Sequence, residues 1–396
     1  MHVLIIPSWY PSTPDDVDGI FFRKQAHALQ RSGLQIGVIA PVFRSLRGKP
    51  ASVLTGGYGI RSFIDEDVPT YIYKSMYFFP RMPRDRARWI KAGKKLFQRY
   101  VRAHGRPDII HAHAMNYGGV LAYEISCETG IPYVVTEHSS TYARKLIWDW
   151  QWPEMRQAAA HAAARIAVSR DFAALLEQEY QQQQAWQYIP NIVTEMFMQP
   201  VDFAVKPQNQ HFTFCSVAHF HYKKGFDILL KAFALALKKH PDLKLKIGGG
   251  GAEDAKLRAL AAELGLNHAV RFLGSLKYPQ VLELMRSSDA FVLASRNETF
   301  GVVFIEALSQ GLPVVATRCG GPESIVTPGN GCLVPSENIG ELADALVELY
   351  ENRSRYDAHT LRENCLAEFG EQAVTAKITA VYRDVLARSA QKQEQP

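Results

Sequence analysis

The densest chemical signal in the chain is Ser295-Arg296-Asn297-Glu298-Thr299-Phe300-Gly301-Val302-Val303-Phe304-Ile305-Glu306-Ala307. It reads as a strand over 290–294, a loop, and a helix opening near Gly301. N–H groups at a helix start have no intrahelical acceptor, and a glycine there allows close approach, so the segment makes an anion site fit for a diphosphate. Glu298 lies before the helix beside that anion, and Glu306 lies one to two turns inside it. Carboxylates so placed can accept hydrogen bonds from sugar or ribose hydroxyls. The plainer reading makes Glu298 a helix-start carboxylate favoured by the dipole and Glu306 a solvated helix residue.

Three more loops follow predicted strands: Lys223-Lys224-Gly225, the glycines 248–251, and Gly320-Gly321-Pro322-Glu323. Glycine-bearing loops at strand ends can form a phosphate-binding rim, and a lysine there supplies charge for a leaving diphosphate. In the first half, Asp108-Ile109-Ile110-His111-Ala112-His113 ends a strand with both histidines on one face. A metal pair is conceivable there, but no carboxylate cluster accompanies it. Thr136-Glu137-His138 ends the next strand, with His138 either facing a ligand or satisfied in the core. Gly19 opens a helix, and Arg23, one turn in, either meets an anionic acceptor or faces solvent.

The elements that must hold these residues alternate along the chain. Strands are expected at 2–6, 35–40, 70–74, 108–113, 133–137, 165–169 and 187–189, with helices over 21–32, 86–104 and 118–129. The second half repeats the pattern at 212–218, 244–248, 271–274, 290–294, 313–316 and 332–334. Repeated strand–helix–strand units imply right-handed crossovers and doubly wound parallel sheets. The expected fold is α/β, with two Rossmann-like domains facing a central cleft, and 396 residues are too many for one compact domain. Pro190, Pro200, Pro207 and the polar run 206–210 mark the connector. This gives a first domain over 1–195, a second over 196–370, and over 371–396 a C-terminal helix that can pack back on the first domain, with a frayed tail. The glutamine tract 181–184 reads as loop or helix end.

In this order, Lys224-Gly225, the glycine loop after Ile247, the E-x7-E spacing from Glu298 to Glu306, and Gly311-Leu312-Pro313-Val314-Val315 leading to Gly320-Gly321 resemble the family 4 retaining glycosyltransferases of GT-B architecture. The resemblance implies a nucleotide-sugar donor, uridine diphosphate by default, no metal or other cofactor, and retention at the anomeric carbon. By the family pattern Lys224 holds the donor diphosphate, with Lys223 and Gly249 nearby, and Glu306 binds the ribose. Glu298 contacts the donor sugar, helped by the N–H groups of Phe300, Gly301 and Val302. Gly19 resembles the family's N-terminal glycine loop, which often has two glycines where this chain has Asp18-Gly19. His138 is expected to bond the donor sugar, and His113 and Arg23 to lie nearest the acceptor. One position departs: His219 stands where the family usually has an arginine, and a neutral imidazole cannot replace a guanidinium's bidentate charge. Lys223 is the candidate replacement; without one, donor binding is weaker.

Residues 81–106 carry Arg81, Arg84, Arg86, Arg88, Lys91, Lys94, Lys95, Arg99, Arg102 and Arg106 against one acid, Asp85, with Trp89, Leu96, Phe97, Tyr100 and Val101 interleaved. A basic helix with an aromatic face suits an anionic membrane surface, and the alternative is a domain helix with solvated charges. No nucleic-acid motif accompanies it, so no nucleic acid is expected. No apolar run reaches the roughly 18 residues of a membrane span, and the run 3–6 is too short for a signal peptide. Five scattered cysteines without a C-x-x-C pair exclude a disulfide scaffold or zinc ribbon and fit a reducing compartment. A dinucleotide oxidoreductase needs G-x-G-x-x-G directly after a first strand, which 248–251 does not meet. The expectation is a cytoplasmic enzyme, peripheral on the inner face of the plasma membrane. It would glycosylate a lipid-linked or other glycan acceptor in bacterial envelope or exopolysaccharide assembly. The alternatives are a non-catalytic nucleotide-sugar-binding protein and a small-metabolite glycosyltransferase.

Overall fold

Runs of Val, Ile, Leu and Ala bounded by Gly, Pro or Asp form strands buried along their whole length, as parallel strands covered on both faces must be. The computed structural model describes residues 1–11, 19–45, 57–79, 82–181, 185–203 and 211–394. Asp18, Arg81, the glutamines 182–184, the run 206–210 with Pro207, and the last two residues of the tail lie outside the described residues.

The chain divides into two compact units. Unit 1 comprises Met1–Val168, Ala173–Ile189 and Thr375–Pro396, and unit 2 comprises Ser169–Phe172 and Pro190–Val374. In chain order the elements are β1 (His2–Pro7), α1 (Ile20–Arg31), β2 (Gln35–Arg44), β3 (Gly59–Asp65), β4 (Val68–Met76), α2 (Pro83–His104), β5 (Ile109–His113), α3 (Val120–Thr129), β6 (Tyr133–Glu137), α4 (Trp152–His161), β7 (Ala164–Ala167), α5 (Arg170–Glu179) and β8 (Gln187–Tyr188). They continue with α6 (Glu195–Met198), β9 (Thr213–Val217), α7 (Phe226–Lys239), β10 (Lys244–Gly248), α8 (Asp254–Glu263), β11 (Val270–Gly274), α9 (Tyr278–Arg286) and β12 (Ala290–Leu293). The last are α10 (Val302–Ser309), β13 (Val314–Arg318), β14 (Gly331–Pro335), α11 (Ile339–Glu351), α12 (Ala358–Phe369) and α13 (Glu371–Glu394).

Among the described residues the sheet of unit 1 runs β3-β4-β2-β1-β5-β6-β7-β8, and that of unit 2 runs β11-β10-β9-β12-β13-β14. Every pairing is parallel except β3 with β4. The expectation of parallel pairing throughout unit 1 is therefore corrected at one edge. There a hairpin turns through Glu66 and Asp67, both in the left-handed region (φ 47° and 68°). Strand order reverses between β1 and β5 in unit 1 and between β9 and β12 in unit 2. Such a switch point opens a crevice at the carboxyl edge of an α/β sheet.

Helix α2 buries Trp89, Ile90, Leu96 and Tyr100. Its basic residues are not opposed by Asp85 alone. Lys94 Nζ lies 2.6 Å from both Glu124 and Glu128 of α3, Arg86 pairs with Glu154 of α4, and Arg88 lies 2.5 Å from Asp85. Arg84, Lys91, Lys95, Arg99 and Arg102 remain exposed. Phe78, Phe79 and Met82, at the start of the helix, are exposed large apolar side chains.

Candidate active site

In unit 2 the loops after β9 and β12 meet at the switch point. Lys224 Nζ lies 2.5 Å from Glu298 Oε1, which also accepts a hydrogen bond from Ser295 Oγ at 2.8 Å. Both charged side chains are largely sheltered, at 18% and 10% exposure, so their attraction is weakly screened. Gly225 follows Lys224 at φ 62°, and a Cβ there would meet the Ala294 carbonyl oxygen at 1.8 Å. Only glycine lets the lysine turn lie against the end of β12.

Arg296, which the sequence reading left without a role, joins the two loops. Its N–H donates to the Lys223 carbonyl at 2.7 Å, and its guanidinium donates to the Tyr222 carbonyl and to both oxygens of Asp227 at 2.8–2.9 Å. It also stacks 3.8 Å from the Tyr222 ring centroid. An arginine beside a strand end within a Ser/Asn loop was the available signal.

Gly301 caps α10 at φ 99°, and the backbone before it passes so close to Gly321 that a Cβ there would lie 2.4 Å from the Phe300 carbonyl oxygen. The Phe300 side chain is buried, so only its backbone faces the helix start, with Gly301 and Val302 partly exposed. Glu306 is not a solvated helix residue. It is buried and accepts a hydrogen bond from Thr194 Oγ1 at 2.7 Å. Tyr278 feels this environment: burial, then the charge of Glu306, pushes its hydroxyl up to about 12.

Gly249 requires a correction. Its N–H donates to the Gly274 carbonyl at 2.8 Å, and a Cβ would meet the Ala218 carbonyl oxygen at 2.1 Å. This glycine allows β10 to pack against the turn after β9; it does not open a backbone donor toward a phosphate. His219 is exposed and lies against Gly251, and Lys223 is partly exposed, its N–H donating to His221 Nδ1.

In unit 1 the predicted residues lie at the start of α1 after β1, at the end of β5 and just after β6. Gly19 caps α1 at φ 78°, where a Cβ would lie 2.8 Å from the Trp9 carbonyl oxygen. The following Phe21 and Phe22 place their rings 5.2 and 5.0 Å from that of His138, and Phe22 lies 4.9 Å from His113. His138 Nε2 is 3.1 Å from His113 Nδ1. His111 is not a ligand in waiting: its nitrogens meet Tyr382 Oη at 2.6 Å and Thr136 Oγ1 at 2.7 Å. Burial lowers its pKa to about 3 and holds His113 well below the usual imidazole range. Among the described residues no three His, Cys, Asp or Glu side chains gather as a metal site.

Arg23 is partly exposed and already has a partner within unit 1. Its guanidinium grips Asp65 through two bonds of 2.6 and 2.5 Å, with His27 Nε2 3.3 Å from the same carboxylate. Burial acts to raise the Asp65 pKa, but the hydrogen bonds from Arg23 and His27 outweigh it and hold the carboxyl well below the usual range. Glu137, inside the quoted Thr136-Glu137-His138, was also missed. Fully buried, it accepts bonds from the N–H groups of Met115, His138 and Ser139 and from Tyr142 Oη at 2.8–3.0 Å. It thereby ties the loops after β5 and β6 together, and an acid closing an otherwise apolar strand was its signal.

Residues 19–195 match the family described as Glycosyltransferase Family 4, and residues 199–365 match Glycosyl transferases group 1. The chain is 26% identical to a D-inositol 3-phosphate glycosyltransferase of Paenarthrobacter aurescens, over 93% of this chain and 92% of that one. It is 34% identical to a GDP-mannose-dependent monoacylated alpha-(1-6)-phosphatidylinositol monomannoside mannosyltransferase of Corynebacterium glutamicum, over 34% of this chain and 36% of that one. In fold it is similar to the sucrose-phosphate synthase of Thermosynechococcus elongatus, with a TM-score of 0.75 and 20% identity over 98% of this chain and 100% of that one. Among the described residues no helix is long and apolar enough to cross a membrane.

Proposed function

This chain belongs to the family 4 glycosyltransferases of GT-B architecture, and we propose that it moves a hexosyl unit with retention from a nucleoside-diphosphate sugar to an anionic or lipid-linked acceptor. The observation that carries the reading is the Lys224–Glu298 pair in front of the helix start at Gly301. Lys224 and the helix-start N–H groups stabilise the charge that develops on the leaving diphosphate, where electrostatic stabilisation is usually the largest catalytic contribution. Glu298 contacts the sugar, Glu306 the ribose, and His138 of unit 1 a sugar hydroxyl. The bond from the anomeric carbon to the phosphate oxygen breaks and a bond to the acceptor oxygen forms on the same face. The acceptor proton passes to the departing phosphate, and a nucleoside diphosphate leaves. The positive charge in this reading comes from the chain itself, so activity is expected to survive EDTA.

UDP is favoured as the donor carrier, and GDP is the direct competitor because the Corynebacterium relative is GDP-mannose-dependent. The acceptor class rests on the exposed basic stripe of α2 with Phe78, Phe79 and Met82 at its head, a surface suited to anionic headgroups on the inner face of a bacterial plasma membrane. The phosphorylated acceptor named for the Paenarthrobacter relative points to the same anionic chemistry. Envelope or exopolysaccharide assembly is the setting this reading favours. The test is thermal unfolding with UDP, GDP, ADP and TDP, for the wild type, Lys224→Ala and Glu306→Gln. Ligand at about 100 times its Kd stabilises by roughly 2.7 kcal/mol, a shift of a few degrees. A shift with one nucleotide that both variants lose supports the donor site; donor affinity without turnover supports a binding protein instead.

A further inference from the structure

The hydroxyl of Thr194 is not used where its place in the chain would use it. Thr194 is the N-cap residue of α6, with its backbone outside the helical region (φ −58°, ψ 130°). A threonine at an N-cap usually accepts a hydrogen bond from an N–H of the first helical turn, yet this side chain makes no such bond. Its Oγ1 instead donates to Glu306 Oε1, 112 residues away, at 2.7 Å, and both residues are buried. The two elements that carry them are clamped together. Gln310 Nε2, just past the end of α10, donates to the Phe197 carbonyl of α6 at 2.7 Å, and the Arg362 guanidinium donates to the carbonyls of Phe197, Met198 and Ser309. The Val193 N–H, next to Thr194, donates to the Phe369 carbonyl at 2.9 Å. All these residues belong to unit 2.

We propose that Thr194 is a positioning residue: by holding Oε1 it sets the plane of the Glu306 carboxylate for the ribose hydroxyls of the donor nucleoside. The inference rests on the reading that Glu306 binds the ribose. The last torsion of a glutamate side chain has a broad, shallow preference, so it is fixed by what the two oxygens meet. A carboxylate offers about four acceptor sites over those oxygens, so one bond at Oε1 orients the group without exhausting it. Recognition of the ribose then depends on Thr194 although Thr194 itself touches no ligand. A hydroxyl that only satisfied a buried acceptor would contribute to stability and would leave the choice between nucleotides unaltered.

The test is the ratio of affinities for UDP and 2′,3′-dideoxy-UDP, with the corresponding GDP pair run in parallel, by titration calorimetry on the wild type, Thr194→Val, Thr194→Ser and Glu306→Ala. Val matches threonine in shape without the hydroxyl, Ser keeps the hydroxyl, and Thr194→Ala repeats the loss with a smaller side chain. The wild type is expected to prefer the ribose form by about tenfold or more, the worth of one hydrogen bond to a charged group. In Thr194→Val and Thr194→Ala the preference should fall to about threefold or less, with affinity for the dideoxy form little changed, and Thr194→Ser should restore it. A preference kept in Thr194→Val, or Val and Ser variants equally impaired, overturns the proposal. A preference kept in Glu306→Ala, or no nucleotide bound by the wild type, overturns the ribose reading of Glu306 and the proposal with it. The Glu306→Ala result therefore tells the two failures apart.

Discussion

The buried histidines of unit 1 make its stability fall in mild acid by a calculable amount. His111 is fully buried between two hydroxyl groups, neither of which can neutralise a charge, and its pKa is lowered to about 3. In the unfolded chain it returns to about 6.5. Between those values the unfolded chain binds a proton that the native one does not, so stability is full above 6.5 and is lost as pH falls through the window. At pH 5 the window has been entered by about 1.5 pH units, which at about 1.36 kcal/mol per unit is a loss of about 2 kcal/mol relative to pH 8. The figure does not depend on the exact native value, provided it lies below 5. All six tryptophans (Trp9, Trp89, Trp148, Trp150, Trp152 and Trp186) lie in unit 1, so guanidinium unfolding followed by tryptophan fluorescence reports that unit alone. Glu137, whose carboxyl burial raises, acts in the opposite sense, so the comparison of wild type with His111→Gln carries the test. The variant is expected to lose about 2 kcal/mol less than wild type between pH 8 and pH 5. Equal losses in the two proteins would refute the reasoning.

Three further outcomes are expected. Asp65→Asn should flatten the acid limb below the ordinary carboxylate range, because a depressed pKa contributes stability that is lost as pH falls through the native value; acid titration of the fluorescence transition checks this. Gly225→Ala should destabilise unit 2 by about 2 kcal/mol or more, from a left-handed alanine and a clash with the Ala294 carbonyl, and should weaken nucleotide binding through the displaced Lys224; calorimetry with and without UDP reads both. Replacing Lys91, Lys95 and Arg102 by Gln should weaken co-sedimentation with phosphatidylglycerol vesicles on the order of 100-fold at low salt, at about 1 kcal/mol per residue, and should leave the nucleotide shift intact.

The parallel strands were legible because fully buried strands are nearly pure runs of apolar residues. β3 escaped because its middle is solvated and its turn, Glu66-Asp67, uses the left-handed region without a glycine. In unit 2, the positions of Lys224, Glu298, Gly301 and Glu306 could be read from the strand–loop–helix pattern, since topology alone brings loops after neighbouring strands together. What spacing could not reveal is which group each side chain meets across the fold. Asp65 lies 42 residues from Arg23, and Glu124, Glu128 and Glu154 reach α2 from other helices. Gly249 exposes a subtler limit: a glycine demanded by backbone packing and one demanded by a ligand look alike in a sequence.

The His111–Tyr382 bond spans 271 residues of chain. During synthesis at about 5–20 residues per second, His111 emerges on the order of 15 to 50 seconds before its partner exists. Throughout that interval one nitrogen of a core histidine has no hydroxyl to meet. The first unit to be translated is thus completed only after the second has been made. A ribosome-bound chain should acquire its full resistance to protease in unit 1 late, when residues around Tyr382 clear the exit tunnel, although most of that unit was translated long before.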